Sequence, residues 1–377
     1  MLQNSIDIVM FGMSAAFEWE QGFRNRNFFI LQALLKHPRV SRIILVDFVP
    51  PTLKRALKEY YYAKLFQGAG ALLRGWNFRC TQAKQNLYVY SGISHKPLVK
   101  VLTHLGIQRP VLWSYNPLVV DYLADIPHSF FVFDAVDNWS VHSAYRKHAK
   151  ELVKNYDVIH NDADVIFTVA PELRNVFRGH TQVHWIPNGV DFAHFSTPRA
   201  VPQDLASIPH PRLGYTGVIQ DRFDVALLSH VVAERPDWHF VLIGDVWPDA
   251  HIESLRKYPH VHFFGRKTYD ILPAYLQHID VGIVPHKVNA FTQTMNPLKI
   301  YEYLACGKPV VSTPVAGTEM FAHYVSCAPT AQQFQHALTE ALRDDSIERV
   351  QQRQAFMRAH TWENRVQRMF AIMDTVH

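Results

Sequence analysis

Lys299 and Glu302 lie one turn apart in MNPLKIYEYLACGKPVVSTPV, Met295–Val315, and an ammonium and a carboxylate so placed can handle a phosphate and a sugar. Asn296 suits an N-cap and Pro297 the first helical position, where the N–H that proline lacks has no use. The helix is predicted to run to about Cys306, with Gly307 taking the left-handed position beyond it and Pro309 blocking continuation. PVVST then has β-branched strand character. This is the helix–strand half of a parallel crossover, so the helix start lies near the carboxyl edge of a sheet, where open α/β sheets bind ligands. Free N–H groups of Asn296, Leu298 and Lys299, with the positive end of the helix dipole, suit a phosphate. Lys299 adds a charge, and Glu302 can accept two ribose hydroxyls. Together they describe a nucleoside diphosphate held lengthwise. The competing reading is an ordinary capped helix with Lys299, Glu302 and Tyr303 on a solvated face.

The elements around this stretch follow from continuous apolar runs alternating with amphipathic segments, the pattern of a parallel sheet covered on both faces. IDIVMFG (Ile6–Gly12), RIILVDF (Arg42–Phe48), PVLWSY (Pro110–Tyr115), SFFVFDAVD (Ser129–Asp137) and DVIFTVA (Asp164–Ala170) are the apolar runs of the first half. The proline-rich STPRAVPQDLASIPHPR (Ser196–Arg212) reads as a linker. Beyond it come RLGYTGV, a helix from Phe223 to Glu234, HFVLIGD, a helix near Ile252–Lys257, VHFFG, a helix near Tyr269–Gln277 and DVGIVP, and then the opening stretch. Helical patterns at Ile347–Ala359 and Trp362–Met373 close the chain. The expectation is two doubly wound α/β domains in tandem: residues 1–195, a linker at 196–211, residues 212–360, and a final helix at 361–377.

PHKVNAFTQTMNPLKIYEYLACGKPVVSTPVAG (Pro285–Gly317) resembles the donor-binding region of the group 1 glycosyltransferases. So do VIFTVAPEL, HWIPNGVDFAHF, RLGYTGVIQDRFD, WHFVLIGDV and VHFFGRKTYDILPAYLQHIDVGIVP, in the order and spacing of that family. The resemblance covers most of residues 160–320. It implies the GT-B fold, two Rossmann-like domains facing across a cleft, with an N-terminal acceptor-binding domain and a C-terminal nucleotide-sugar domain. It also implies transfer of a sugar from a UDP- or GDP-sugar to a hydroxyl acceptor, a surface polysaccharide or lipid-linked glycan, with no bound metal and no cofactor. Domain closure would expel water, and the last helix would pack back on the N-terminal domain. A nucleotide-sugar 2-epimerase and a non-catalytic binding subunit use the same scaffold.

Residue by residue, Glu302 matches the family's ribose-binding Glu. The family's second Glu, eight positions earlier, is Thr294 here; a hydroxyl cannot supply that charge beside an oxocarbenium ion, so the stereochemical outcome stays open. Gly317 and Glu319 match a Gly-Gly-x-x-Glu region in part. Gly217 and Leu298 complete the donor-binding set. Arg222 falls where the family places a basic residue on the diphosphate, or is a solvated arginine. Helix dipole, Arg222 and Lys299 would stabilise the departing diphosphate. Arg266 and Lys267 follow the strand whose backbone touches the base, and their side chains contact the ligand or face solvent. FGMSAAFEWEQGFRNRNFF, with Gly12 after the first strand and Gly22 before a helix, resembles a loop facing the diphosphate, making Gly22, Arg24 and Arg26 phosphate or acceptor candidates; Arg24 and Arg26 are otherwise first-turn surface residues. Asp137 is the candidate base, with Asp134 and Glu18 as alternatives, and any of them can instead be a cap or turn residue.

Other chemistries find no support. There is no G-x-G-x-x-G in the N-terminal loop, no phosphate-binding G-x-x-x-x-G-K-[ST], no G-x-S-x-G and no H-E-x-x-H among 22 histidines. Cys80, Cys306 and Cys327 are odd in number and widely spaced, which fits a reducing compartment. The chain has 377 residues, 48% of them hydrophobic and 19% charged, and a net charge of +5. That suits an anionic substrate or membrane surface better than dedicated nucleic-acid binding. No apolar run reaches the roughly 18 residues of a membrane span, and the N-terminus lacks a basic region and cleavage site, so a cytoplasmic protein is expected. Leu53–Arg79 carries six Lys/Arg against one Glu, interleaved with Tyr60, Tyr61, Tyr62, Phe66, Trp76 and Phe78. It reads as an amphipathic stretch peripheral to the inner face of an anionic bilayer, or as a surface helix with its aromatics packed inward.

Overall fold

The computed structural model describes residues 5–48, 53–66 and 70–376. The chain forms two units, residues 1–186 with 366–377, and residues 187–365. Among the described residues the first unit holds the strands β1 (Ile6–Phe11), β2 (Val40–Val46), β3 (Ala71–Arg74), β4 (Phe78–Lys84), β5 (Leu87–Gly92), β6 (Val111–Ser114), β7 (Phe130–Ala135), β8 (Val165–Thr168) and β9 (Val183–Trp185). They form one sheet in the order β3-β4-β5-β2-β1-β6-β7-β8-β9. From β5 to β9 every pairing is parallel. The strands β6, β7 and β8 are buried at every residue, because helices cover both faces of a parallel sheet and only apolar side chains fit on either.

The β3-β4-β5 edge is antiparallel and departs from the sequence expectation. Leu53–Arg79 is not one amphipathic stretch: it divides into a helix (Leu53–Phe66), β3 and the start of β4. Alternate residues of β3 are exposed, the pattern of a strand with one wet face, and its four residues are too few to stand out by periodicity. Residues 67–69 and the Phe66 side chain lie outside the described residues. The helix Trp362–Met373 contributes its residues from Val366 onward to the first unit. There His37 stacks on Phe370 with ring centroids 3.9 Å apart, and Arg39 grips Asp374 through two bonds of 2.8 and 2.9 Å.

The second unit is built on β10 (Arg212–Thr216), β11 (His239–Ile243), β12 (Val261–Gly265), β13 (Val281–Val284), β14 (Val310–Ser312) and β15 (Val325–Cys327). They pair in parallel in the order β12-β11-β10-β13-β14-β15. Alternation along β11 shows the two-sided cover: Phe240 and Leu242 enter a large core with Leu228, Val231, Phe334 and Leu338, while Val241 and Ile243 meet Leu205, Ile208 and Tyr275 on the opposite face.

That second core decides where the proline-rich stretch goes. The units divide at Ile186 and Pro187, and residues 196–211 lie within the second unit instead of linking two. Leu205 and Ile208 seal one face of the sheet. The Arg212 guanidinium donates to the Ile208 carbonyl at 2.8 Å, and Gln277 donates to the Phe195 and Thr197 carbonyls. Prolines spaced through the stretch break regular structure without preventing the apolar residues between them from packing.

Candidate active site

The chain leaves β10 outward through β11 to β12, then returns to lay β13 on the other side of β10. The β10/β13 boundary is therefore a topological switch point, and a ligand belongs in the crevice outside the carboxyl ends there. Loops at those ends are laced together. Gly217 N donates to the Ile243 carbonyl and Gly244 N to the Gly265 carbonyl, each at 2.9 Å. Asp224 N bonds the Pro285 carbonyl and Lys287 N the Arg222 carbonyl, both at 2.8 Å. Thr313, just past β14, accepts from His286 N at 3.1 Å and donates to the His286 carbonyl at 2.6 Å.

Two glycines permit this crowding. Gly244 has φ +149°, and a Cβ on it would stand 2.1 Å from the Gly217 carbonyl oxygen. Gly217 has φ +116°, and its absent Cβ leaves space 3.3 Å from the Lys299 Nζ. Only glycine meets both the backbone angles and the distances.

Lys299 enters from the helix Leu298–Ala305 and is buried. Its ammonium donates to the Tyr215 hydroxyl at 3.2 Å and lies 3.3 Å from His286 Nε2, 4.4 Å above the Tyr215 ring centroid. Among the described residues it pairs with no carboxylate. Burial, with Arg222 nearby, pushes it well below the usual lysine range, and Glu302 acts in the opposite direction. His286 is fully buried and held well below the ordinary imidazole range by burial, then by Lys299 and Arg222. Glu302, half-buried one turn on, is raised to about 7 by burial against the pull of Lys299. A buried amino group beside a guanidinium and an imidazole, with no carboxylate bonded to it, is an arrangement that an anionic ligand completes.

The helix start differs from expectation in detail. Pro297 is the N-cap, and no side chain caps the helix. Asn296 stands one residue too early to do so. Its Oδ1 accepts from Asn188 N at 2.9 Å and from the Tyr301 hydroxyl at 2.7 Å, while its carbonyl accepts from Asn188 Nδ2. Asn296 thus fixes the turn instead of closing it. That leaves the first-turn amides of Leu298 and Lys299 uncapped by any side chain, at the positive end of the dipole. Gly317, with φ +85°, packs so tightly here that a Cβ would stand 2.3 Å from Asn296 Nδ2.

Residues 210–344 match the family model described as glycosyl transferases group 1. These residues are a group 1 glycosyltransferase domain. A stretch of 179 residues is 31% identical to TuaH of Bacillus subtilis (strain 168), named as a teichuronic acid biosynthesis glycosyltransferase. The match covers 45% of this chain and 42% of that protein, under half of either. Solved structures are similar over almost the whole chain. HepE from Anabaena, in complex with UDP and glucose, is 14% identical with TM-score 0.65, covering 98% of this chain and 99% of its own. The E. coli trehalose-6-phosphate structure bound with UDP-2-fluoro glucose is 11% identical with TM-score 0.68, at 97% and 98% coverage. The trehalose 6-phosphate synthase of Burkholderia multivorans is 13% identical with TM-score 0.68, at 99% of each chain. Likenesses at such identity establish the fold: the chain has the GT-B architecture of two Rossmann-like domains.

In the group 1 domain, Gly217, Arg222, Asn296, Leu298, Lys299 and Glu302 gather at the carboxyl edge of the sheet. Thr294 ends a short turn (Thr292–Thr294), its hydroxyl bonded to the Phe291 carbonyl. Glu319 is exposed beyond Gly317. Arg266, just past β12, lies 4.0 Å from Asp245. Lys267 pairs with Asp204 at 2.7 Å.

In the first unit Arg26 is not a first-turn surface residue. It is buried, and its Nε bonds both oxygens of Asp134 at 3.0 Å. Asp134 is fully buried and its carboxyl is raised by burial against the pull of Arg26; occupied this way it is no base. Glu18 accepts from Ala15 N at 2.9 Å and so closes its own helix start. Gly22 has φ +88°, Arg24 lies over the Phe28 ring, and Asp137 is half-buried with its carbonyl accepting from the Tyr156 hydroxyl.

Sequence reasoning missed His286, Tyr215 and Gly244. A Gly and a Pro-His pair directly after the apolar runs HFVLIG and VGIVPH were the available signals. Tyr215 lies inside a strand and gave none.

Proposed function

We propose that the protein is a glycosyltransferase that moves a sugar from a nucleoside diphosphate donor, UDP-linked in the first instance, to a hydroxyl of a growing surface polysaccharide or lipid-linked glycan. One observation carries this reading. Lys299 presents a buried amino group, unpaired by any carboxylate among the described residues, beside an uncapped helix start at the switch point of a group 1 domain. The diphosphate lies against the amides of Leu298 and Lys299 and the Arg222 guanidinium, and Glu302 takes the ribose hydroxyls. When the anomeric C–O bond breaks, charge accumulates on the departing diphosphate. Preorganised cations and amides stabilise it there without reorganising. The UDP, UDP-glucose and UDP-2-fluoro glucose complexes of the structural neighbours support UDP, and the similarity to TuaH supports a polysaccharide acceptor.

The acceptor also bears on where the enzyme works. No helix among the described residues is long and apolar enough to cross a membrane. The first unit nonetheless exposes Leu57 and Tyr61, one helical turn apart, and Trp76 at 86% exposure, with Lys54 and Lys58 exposed alongside. Apolar anchors among cations suit an anionic bilayer. Cosedimentation with phosphatidylglycerol vesicles, weakened by salt and by Trp76→Ala with Tyr61→Ala, is the expected behaviour. Equal recovery with neutral vesicles would remove the membrane from the proposal.

Incubation with UDP-, GDP- and ADP-sugars, with and without lipid-linked acceptor, tests the activity. Nucleoside diphosphate release that depends on acceptor is the expected result. A changed free donor would mean epimerisation, and binding without turnover a non-catalytic subunit.

A further inference from the structure

The buried amine of Lys299 has unusual company. Its hydrogen-bonding partners are a phenol, Tyr215 at 3.2 Å, and an imidazole, His286 at 3.3 Å. A carboxylate partner would fix the lysine as an ammonium; these two do not. Against the ammonium, His286 Nε2 and the Tyr215 oxygen both accept. Against a neutral amine, the same imidazole nitrogen can carry a proton and donate back to Nζ. The contacts therefore survive a change of charge. The Tyr215 hydroxyl meanwhile donates to the Val218 carbonyl at 3.1 Å, and His286 Nδ1 is buried with no hydrogen-bond partner among the described residues.

The groups around this amine come from every element packed on it. Tyr215 faces it from β10, Arg222 from the loop after β10, His286 from the loop after β13, and Glu302 from its own helix. Tyr303, also on that helix, is spent on Thr216 N at 2.8 Å. Arg222 opposes a second positive charge and Glu302 favours one. A diphosphate brings at least two negative charges to the same place and reverses that balance.

We propose that binding of a nucleoside diphosphate draws one proton from solvent onto the Lys299–His286–Tyr215 cluster, which returns it when the diphosphate leaves. This rests on the donor site proposed above and adds a property that the site reading does not require. The cluster carries little charge without ligand and becomes a cation when an anion arrives. The burial that disfavours the lone ammonium then strengthens its hold on the phosphate.

Calorimetric titration of the full chain with UDP and with GDP at pH 8.5 tests this, in buffers of differing ionisation enthalpy. The nucleotide phosphates are fully ionised at that pH, and Glu302, raised to about 7, is mostly ionised too. The observed enthalpy should vary with buffer ionisation enthalpy with a slope close to one proton taken up. Lys299→Arg, a permanent cation, should bind with a slope near zero. Arg222→Gln, which keeps the lysine but removes its repulsive neighbour, should shrink the slope while weakening binding. Glu302→Gln should leave the slope unchanged. Measurable wild-type binding with a slope near zero overturns the proton coupling and leaves the donor site standing; so does a wild-type slope in Lys299→Arg. Binding of no nucleoside diphosphate overturns both.

Discussion

Glu302 is held in place at a cost to the fold. Its carboxyl is raised from 4.5 to about 7, so between those values the native chain binds more protons than the unfolded chain, and stability falls as pH rises through the window. Above pH 7 the penalty is complete, on the order of 2–3 kcal/mol. Glu302→Gln should therefore raise the melting temperature by several degrees at pH 8 and leave it unchanged near pH 4, while nucleotide affinity drops. Thermal scans across that range, paired with titrations, check both halves; a variant no more stable than wild type at pH 8 would mean that the carboxylate is well solvated. The Arg26–Asp134 pair allows a second test. Both side chains are buried, and stranding one charge costs roughly 3–5 kcal/mol. Asp134→Leu alone should lose about that much in urea denaturation. Arg26→Met with Asp134→Leu should recover most of it, because a buried ion pair gains little over apolar packing. No sequence pattern could have marked this pair. Its members stand 108 positions apart, and each alone looks like a polar residue near a ligand.

At the scale of elements, what could be read in the sequence follows what repeats locally. The parallel strands were legible because burial on both faces demands unbroken apolar runs such as IILV and FFVF. The Leu298–Ala305 helix was legible from its Pro entry and its Gly307 exit, where φ is +77°. The antiparallel β3-β4 edge was not: its strands have one wet face and polar residues such as Thr81 and Gln82. The proline-rich stretch misled because composition suggested a linker, while Leu205 and Ile208 decided its packing. Of the candidate site, the Lys299 and Glu302 spacing was legible. Their environment was not, since Tyr215, His286 and Gly244 meet only once the sheet is wound. Gly244→Ala tests that winding. Its Cβ would collide with the Gly217 carbonyl, so the loss should exceed the roughly 1–2 kcal/mol of left-handed backbone strain alone. Gly106→Ala serves as the control, with φ +67° and open space around it; its loss in the same denaturation experiment should stay within that range. Equal losses would show that the Gly217–Gly244 contact relaxes freely.

For the whole molecule, the group 1 match of residues 210–344 and the GT-B fold support the proposed reaction, and the carboxyl edge of the second sheet is the proposed grip on the donor. The central claim is that this edge holds a diphosphate through Lys299 and the amides beside it. The most direct measurement is calorimetric titration of the full chain with UDP and with uridine, which differ only in the phosphates, in wild type and in Lys299→Met. UDP should bind far more tightly than uridine. Charged hydrogen bonds contribute about 1.5–3 kcal/mol each, so Lys299→Met should weaken UDP by roughly 10- to 100-fold and leave uridine nearly unchanged. UDP and uridine binding alike, or a Lys299→Met variant that holds UDP as tightly as wild type, would contradict it.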